Sequence, residues 1–134
     1  MTKTIHQKVK LPASPDRLYG IYMNSKKHAA AIGFKASIEN KVGGRFSAFG
    51  MLKGKFLHLE KNKKIVQTWR SNIFKKKDSD SILILNLRKV RNGTEIDLVH
   101  AHVPDYEYKP VQKGWHHYYW NPWKKYLSRV KHRS

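Results

Sequence analysis

The sequence predicts an α+β domain in which a curved antiparallel sheet of about six to seven strands wraps around one long C-terminal helix, with two short helices after the first strand. Two observations carry most of this. From Phe34 to Val103, β-branched and aromatic residues alternate with polar ones in runs broken by Gly, Asn and Lys turns, as in consecutive hairpins. The stretch from Gly114 to Leu127 holds three of the four tryptophans and three of the seven tyrosines. At helical spacing Trp115, Tyr119, Trp123 or Pro122, Tyr126 and Val130 share one side, and Tyr118 and Trp120 broaden it. Such a helix needs a concave partner, and strands in series curl into one.

Taken in order, Lys3–Leu11 alternates, with Ile5, Gln7, Val9 and Leu11 on one face of a half-buried strand. Ser14 and Pro15 read as the cap and first position of a short helix carrying Leu18, Tyr19, Ile21, Tyr22 and Met23. Asn24 caps a second helix that Gly33 ends. Strands are expected at Phe34–Asn40, Arg45–Phe49 and Met51–Glu60, the last with Leu52, Gly54, Phe56 and His58 on one face. Ile65–Arg70, Ser81–Val90 and Thr94–Val103 follow, with a basic loop over 72–81 and an Asn-Gly turn at Arg91-Asn92-Gly93. Pro122 lacks a backbone donor and collides with the carbonyl of Tyr118, so the helix is expected to kink or restart there.

Composition narrows the function. A chain of 134 residues can bury one core, and no linker or repeat divides it, so residues 1–134 are expected to form a single domain. The lack of cysteine excludes disulfides, thiolate nucleophiles and cysteine-ligated metal. No apolar run has membrane-spanning length and the N-terminus has no signal-peptide core, so a cytoplasmic protein is expected. Lys and Arg number 28 against 9 acids, a formal +19. Residues 61–77 and 109–134 each carry seven basic residues and no acid, whereas 78–108 hold six of the nine acids. Such a field draws polyanions, or is only a solvated surface.

The segments Pro12–Tyr19, Gly43–Gly50, Gly54–Leu57, Asn62–Arg70, Val103-Pro104, Glu107-Tyr108, Gly114-Trp115 and Tyr119–Trp123 carry a family resemblance, in order over essentially the whole chain. The sequence resembles the heat-shock-protein 90 ATPase activator homologue-like branch of the START-related superfamily, the helix-grip fold shared with polyketide cyclases and birch-allergen-like proteins. The resemblance implies a sheet gripping the C-terminal helix with a pocket between them. It also implies hydrophobic-ligand binding, handling of polyketide-like compounds, or help to a chaperone ATPase in a stress response. Eukaryotic activators carry a further N-terminal domain, which a chain opening at the first strand is expected to lack.

Within that frame, Phe46, Phe49, Phe56, Trp69, Leu85, Leu98, Trp115, Tyr118, Tyr119 and Trp123 are the candidates to line a hydrophobic cavity, or to fill it. Trp69, Tyr118 and Tyr119 have polar tips that would orient a ligand. His100 and His102, two apart on a strand, are expected on one face, without a metal motif. Asp105 and Glu107 precede the helix, and Glu107 is expected to pair with Arg70 or Arg45. No cofactor motif, metal set or nucleophile elbow is present, so the reading is a non-catalytic binding domain. An enzyme would require a buried carboxylate or histidine in the cavity with a perturbed pKa. Lys75, Lys76, Lys77, Lys124, Lys125 and Arg129 form the expected basic face. It would take an acidic chaperone surface or, less in keeping with inward-facing aromatics, single-stranded nucleic acid through Arg70, Lys131 and Arg133 as well.

Overall fold

A computed structural model describes the backbone of residues 1–133 and the side chains of residues 1–129. Seven strands form one antiparallel sheet: β1 (Thr2–Leu11), β2 (Ala36–Ile38), β3 (Arg45–Ala48), β4 (Leu52–Glu60), β5 (Lys64–Ser71), β6 (Ser81–Val90) and β7 (Gly93–Pro104). Their order, β1-β7-β6-β5-β4-β3-β2, is a meander with β1 returning beside β7. Helices α1 (Pro15–Met23) and α2 (Ser25–Ile32) connect the two edges. The chain ends in a 3₁₀ turn (Asp105–Glu107), α3 (Tyr108–Gly114), a π-helical segment (Trp115–Trp120) and α4 (Asn121–Arg133). This is the α+β helix-grip architecture.

Local chemistry explains most boundaries. Asn24 caps α2 by accepting from the Lys27 N–H at 2.9 Å, and Gly33 ends it at φ 77°. Ser14 holds the N-cap position of α1 without a side-chain cap bond, so the proline at the start carries that signal. β2 is shorter than expected because Ser25 takes its edge: the hydroxyl accepts from the Ile38 N–H at 2.7 Å and donates to its carbonyl at 3.2 Å. Phe34, before β2, is exposed and tilts against Phe49 at 5.0 Å.

Two irregularities change which side chains face inward. Register slips between Phe56 and His58 on β4, so Phe56 is buried while His58 is exposed and Leu59 turns partly inward. His58 therefore leaves the face it was expected to share with Phe56. A second slip lies opposite Lys3–Ile5, where His102 adopts φ 60°. His100 is consequently buried and His102 exposed, so the two histidines do not share a face. The β6–β7 turn is Arg91-Asn92, one residue shorter than expected. Gly93 already pairs with Val90, and a Cβ on it would stand 2.1 Å from the Leu11 carbonyl oxygen.

The C-terminal helix buries Val111, Trp115, Tyr119, Trp120, Trp123 and Leu127. Pro122 makes it restart. Widening the preceding turn into a π segment takes the Tyr118 carbonyl away from the proline ring, and the Asn121 N–H reaches back to His116. The expected continuation through Val130 and the basic end Lys131–Ser134 lies outside the described side chains.

Candidate ligand cavity under the C-terminal helix

The concave side of the sheet is occupied unequally along the helix. At the α4 end, Tyr22 stacks on Phe46 at 6.0 Å and Phe46 meets Phe56 edge-on at 6.4 Å, so aromatic rings fill the space. At the α3 end a cavity of about 330 Å³ remains open. It lies between α3 and the π segment on one side and the β3–β4 turn and end of β5 on the other.

The walls follow from local conformation. Phe49 sits at φ 59° and Gly50 at φ 69°, a turn that a bulky residue adopts only when its surroundings compel it. That turn holds the Phe49 ring edge-on to Tyr118 at 5.4 Å and to Tyr119 at 6.0 Å. Trp69 from β5 and Trp115 from the π segment stand 6.3 Å apart, and Phe74 packs against Trp69 at 5.8 Å. Met51, Ile73 and Tyr118 also border the cavity and are exposed, which makes its mouth apolar.

Of the ten residues expected to line or fill a pocket, Phe49, Trp69, Trp115, Tyr118 and Tyr119 lie on this wall. Phe46, Phe56, Leu85, Leu98 and Trp123 lie in the packed core instead. Tyr118, at 45% exposure, is at the mouth. Of the polar tips, Tyr119 donates its hydroxyl to His28 Nε2 at 2.9 Å, whereas Trp69 Nε1 is buried with no partner among the described residues.

Two buried histidines tie the walls to the scaffold. The indole N–H of Trp115 donates to His100 Nδ1 at 3.2 Å, so the ring must carry its proton on Nε2. That N–H donates to Ser81 Oγ at 2.7 Å, and Ser81 donates to the Trp69 carbonyl at 2.8 Å. His28 has the other tautomer: Nδ1–H donates to the Tyr22 carbonyl at 2.8 Å, leaving Nε2 to accept from Tyr119. Burial holds His100 down at about 3 and His28 at about 4, so both are neutral. The same burial raises the Tyr119 hydroxyl pKa, keeping it a donor.

Glu107 is the one carboxylate on the wall. It is 7% exposed, and desolvation raises its pKa. The expected pairing with Arg70 or Arg45 does not form. Arg70 donates to Asp80 Oδ1 at 3.1 Å and to the carbonyls of Asp78 and Lys75, folding the 72–80 loop over itself. Among the described residues Glu107 has no side-chain hydrogen bond and no ion pair, and Asp105 is exposed away from the wall.

The basic residues fall in two places. Lys75, Lys76 and Lys77 are exposed on the β5–β6 loop, with Lys75 Nζ 4.7 Å from the Tyr106 ring before α3. Lys124, Lys125 and Arg129 are exposed on α4. Tyr106 and Lys125 are separated by most of the helix, roughly 28 Å at the α-helical rise, so the two groups do not make one patch. Among the described residues no group of three or more His, Asp or Glu is placed to hold a metal. No described helix is long and apolar enough to cross a membrane.

Sequence reasoning missed the contributions of Met51, Leu52, Ser71, Ile73 and Gly114 to the wall. The Phe49-Gly50-Met51 turn was the available signal, since a glycine after a strand aromatic marks a sharp reversal.

Comparison with known proteins agrees with this architecture. The family model described as "Activator of Hsp90 ATPase homolog 1-like protein" matches residues 12–128. The chain is 29% identical over 132 residues, 98% of its length, to the Activator of 90 kDa heat shock protein ATPase homolog of Dictyostelium discoideum, and covers 33% of that protein. It spans about a third of the length of the curated relatives it matches. In structure it is similar to an HSP90 activator from Plasmodium falciparum, with TM-score 0.77 at 24% identity over 87% of this chain and 89% of that one. CalU16 from Micromonospora echinospora has TM-score 0.80 at 19% identity, over 98% and 80% of the two chains. The chain therefore belongs to the Activator of Hsp90 ATPase homolog 1-like family, on the START-related helix-grip fold.

Proposed function

We propose that the domain, taken as one unit over residues 1–134, binds a hydrophobic or aromatic small molecule beneath the start of the C-terminal helix, without catalysing its conversion. The observation carrying this is the cavity itself. Its ~330 Å³ falls within the usual range of ligand pockets, about 300–1,000 Å³, and five aromatic side chains stand on its wall. The strained Phe49 backbone supports the reading, because such conformations gather at ligand sites. Glu107 meets the sequence criterion for an acid–base group, but the serine hydroxyl on the wall, Ser71, accepts from the Ile73 N–H and is paired with no base among the described residues. Binding is therefore the reading we keep.

The test uses the cavity's own tryptophans. Phenethyl alcohol should change the emission of Trp69 and Trp115 saturably in the intact protein, and Gly114→Leu, which fills the cavity, should abolish the change. An unsaturable response, or one unaltered by Gly114→Leu, refutes the reading. Mass spectrometry of the native protein from its source identifies any natural ligand.

A second reading rests on family membership and the +19 charge: a cytoplasmic co-chaperone of the stress response, docking on an acidic chaperone surface. Stimulation of a purified Hsp90 ATPase, lost at high salt and weakened by neutralising Lys124, Lys125 and Arg129, supports it; no stimulation at low salt rejects it.

A further inference from the structure

We propose that the cavity selects molecules in which an apolar or aromatic body carries a protonated amine, with Glu107 as the group that reads the amine. The inference rests on the ligand-binding reading above and names its ligand class. Three observations meet at one place. Glu107 is buried as a residue and lies on the wall of the cavity. It makes no side-chain hydrogen bond or ion pair among the described residues of a chain with 28 lysines and arginines. The same wall carries the aromatic side chains of Trp69, Trp115 and Tyr118.

A partly desolvated carboxylate on an apolar wall, with no protein cation beside it, gains from a charged partner. Arg70, the cation that the sequence offered, is held instead by Asp80 and two loop carbonyls. A ligand ammonium supplies both the charge and the donors, and aromatic faces attract the same cation through their quadrupoles. A neutral hydroxyl would supply a hydrogen bond without the charge, and an anionic ligand would oppose the carboxylate. The desolvation that raises the Glu107 pKa is the same one an arriving ammonium would offset.

Global charge works in the other direction. A +19 surface repels cations and gathers anions at long range. A preference for the amine therefore cannot come from the long-range field; it has to be made inside the cavity.

The experiment compares three probes of nearly one shape, phenethylamine, phenethyl alcohol and phenylacetate, by tryptophan fluorescence on the intact protein at near-physiological salt. The expected order is amine, alcohol, acid, the amine binding about 10-fold tighter than the alcohol, as for a hydrogen bond to a charged group. Glu107→Gln should bring the amine to the alcohol's affinity and leave the alcohol unchanged. Should that variant fail to fold, the order on the natural protein still decides. Alcohol binding without an amine advantage, or an advantage surviving Glu107→Gln, overturns the inference while leaving the cavity reading intact. Failure of all three probes overturns both. Amine binding that persists in Gly114→Leu places the amine outside the cavity and also overturns it.

Discussion

Trp115 and His100 hold each other in a single tautomeric arrangement: the indole N–H donates at 3.2 Å to an imidazole nitrogen that has no other partner among the described residues. The bond joins the π segment to β7, and through Ser81 it continues to the backbone of β5. Trp115 therefore both faces the cavity and anchors the helix to the sheet. Replacing it with phenylalanine keeps a ring but leaves His100 Nδ1 without a donor, at a cost of about 1–3 kcal/mol. Denaturant midpoints should show this loss, and an unchanged midpoint would mean the bond contributes nothing.

Acid should destabilise the fold through the buried histidines. In the unfolded chain histidine titrates near ~6.5. In the folded chain burial holds His100 at about 3 and His28 at about 4. Between those limits the unfolded state binds more protons, so stability falls as pH drops, by up to ~1.4 kcal/mol per pH unit for each histidine. Guanidinium midpoints followed from about pH 6.5 to 4.5 should decline, and less steeply when His100 is replaced by glutamine. A flat profile is the contrary result.

Gly114 and Gly54 should respond oppositely to the same substitution. Gly114 has ordinary helical angles, φ −60° and ψ −35°, and a Cβ there meets only Tyr118, at 3.5 Å. Gly114→Ala should raise stability by ~0.5–1 kcal/mol. A Cβ on Gly54 would lie 2.0 Å from the Thr68 carbonyl oxygen, where β4 and β5 approach closely. Gly54→Ala should destabilise by ~2 kcal/mol or more. Thermal melts of both variants check the pair.

Tyr119→Phe should separate fold from cavity. The change strands His28 Nε2 and costs about 1–3 kcal/mol, yet leaves the ring on the wall. Probe binding at a temperature well below the melt should stay within about twofold, as for a change that alters no wall contact. A large loss of binding would show that the hydroxyl reaches the ligand.

The outline of the fold was legible because its signals are local. The strand alternation around Leu83, Leu85, Leu98 and His100, the Asn24 cap and the Gly33 stop each declare themselves within a few residues. The aromatic spacing of the last helix also pointed to the side it buries. The rest depended on relations between distant segments. The slips on β4 and β7 rephase His58 and His102 relative to neighbours, and nothing in their own runs reveals it. Whether an aromatic fills space or lines it is a matter of volume, so Phe46 and Phe49, three residues apart, end in different surroundings. That Arg70 pairs with Asp80 rather than Glu107 depends on how the loop after β5 folds back.

A π turn holds one residue more than the α turn it replaces, and so acts as an insertion absorbed within the helix. Ahead of Pro122 it offsets the angular phase of α3 from that of α4 by about 100°, the turn per residue of an α-helix. The cavity end and the packed end can thus be set by separate aromatic registers along one rod. Loss or gain of a single residue between Trp115 and Trp120 would rotate one register against the other, redirecting the cavity wall while the core that grips α4 keeps its seat.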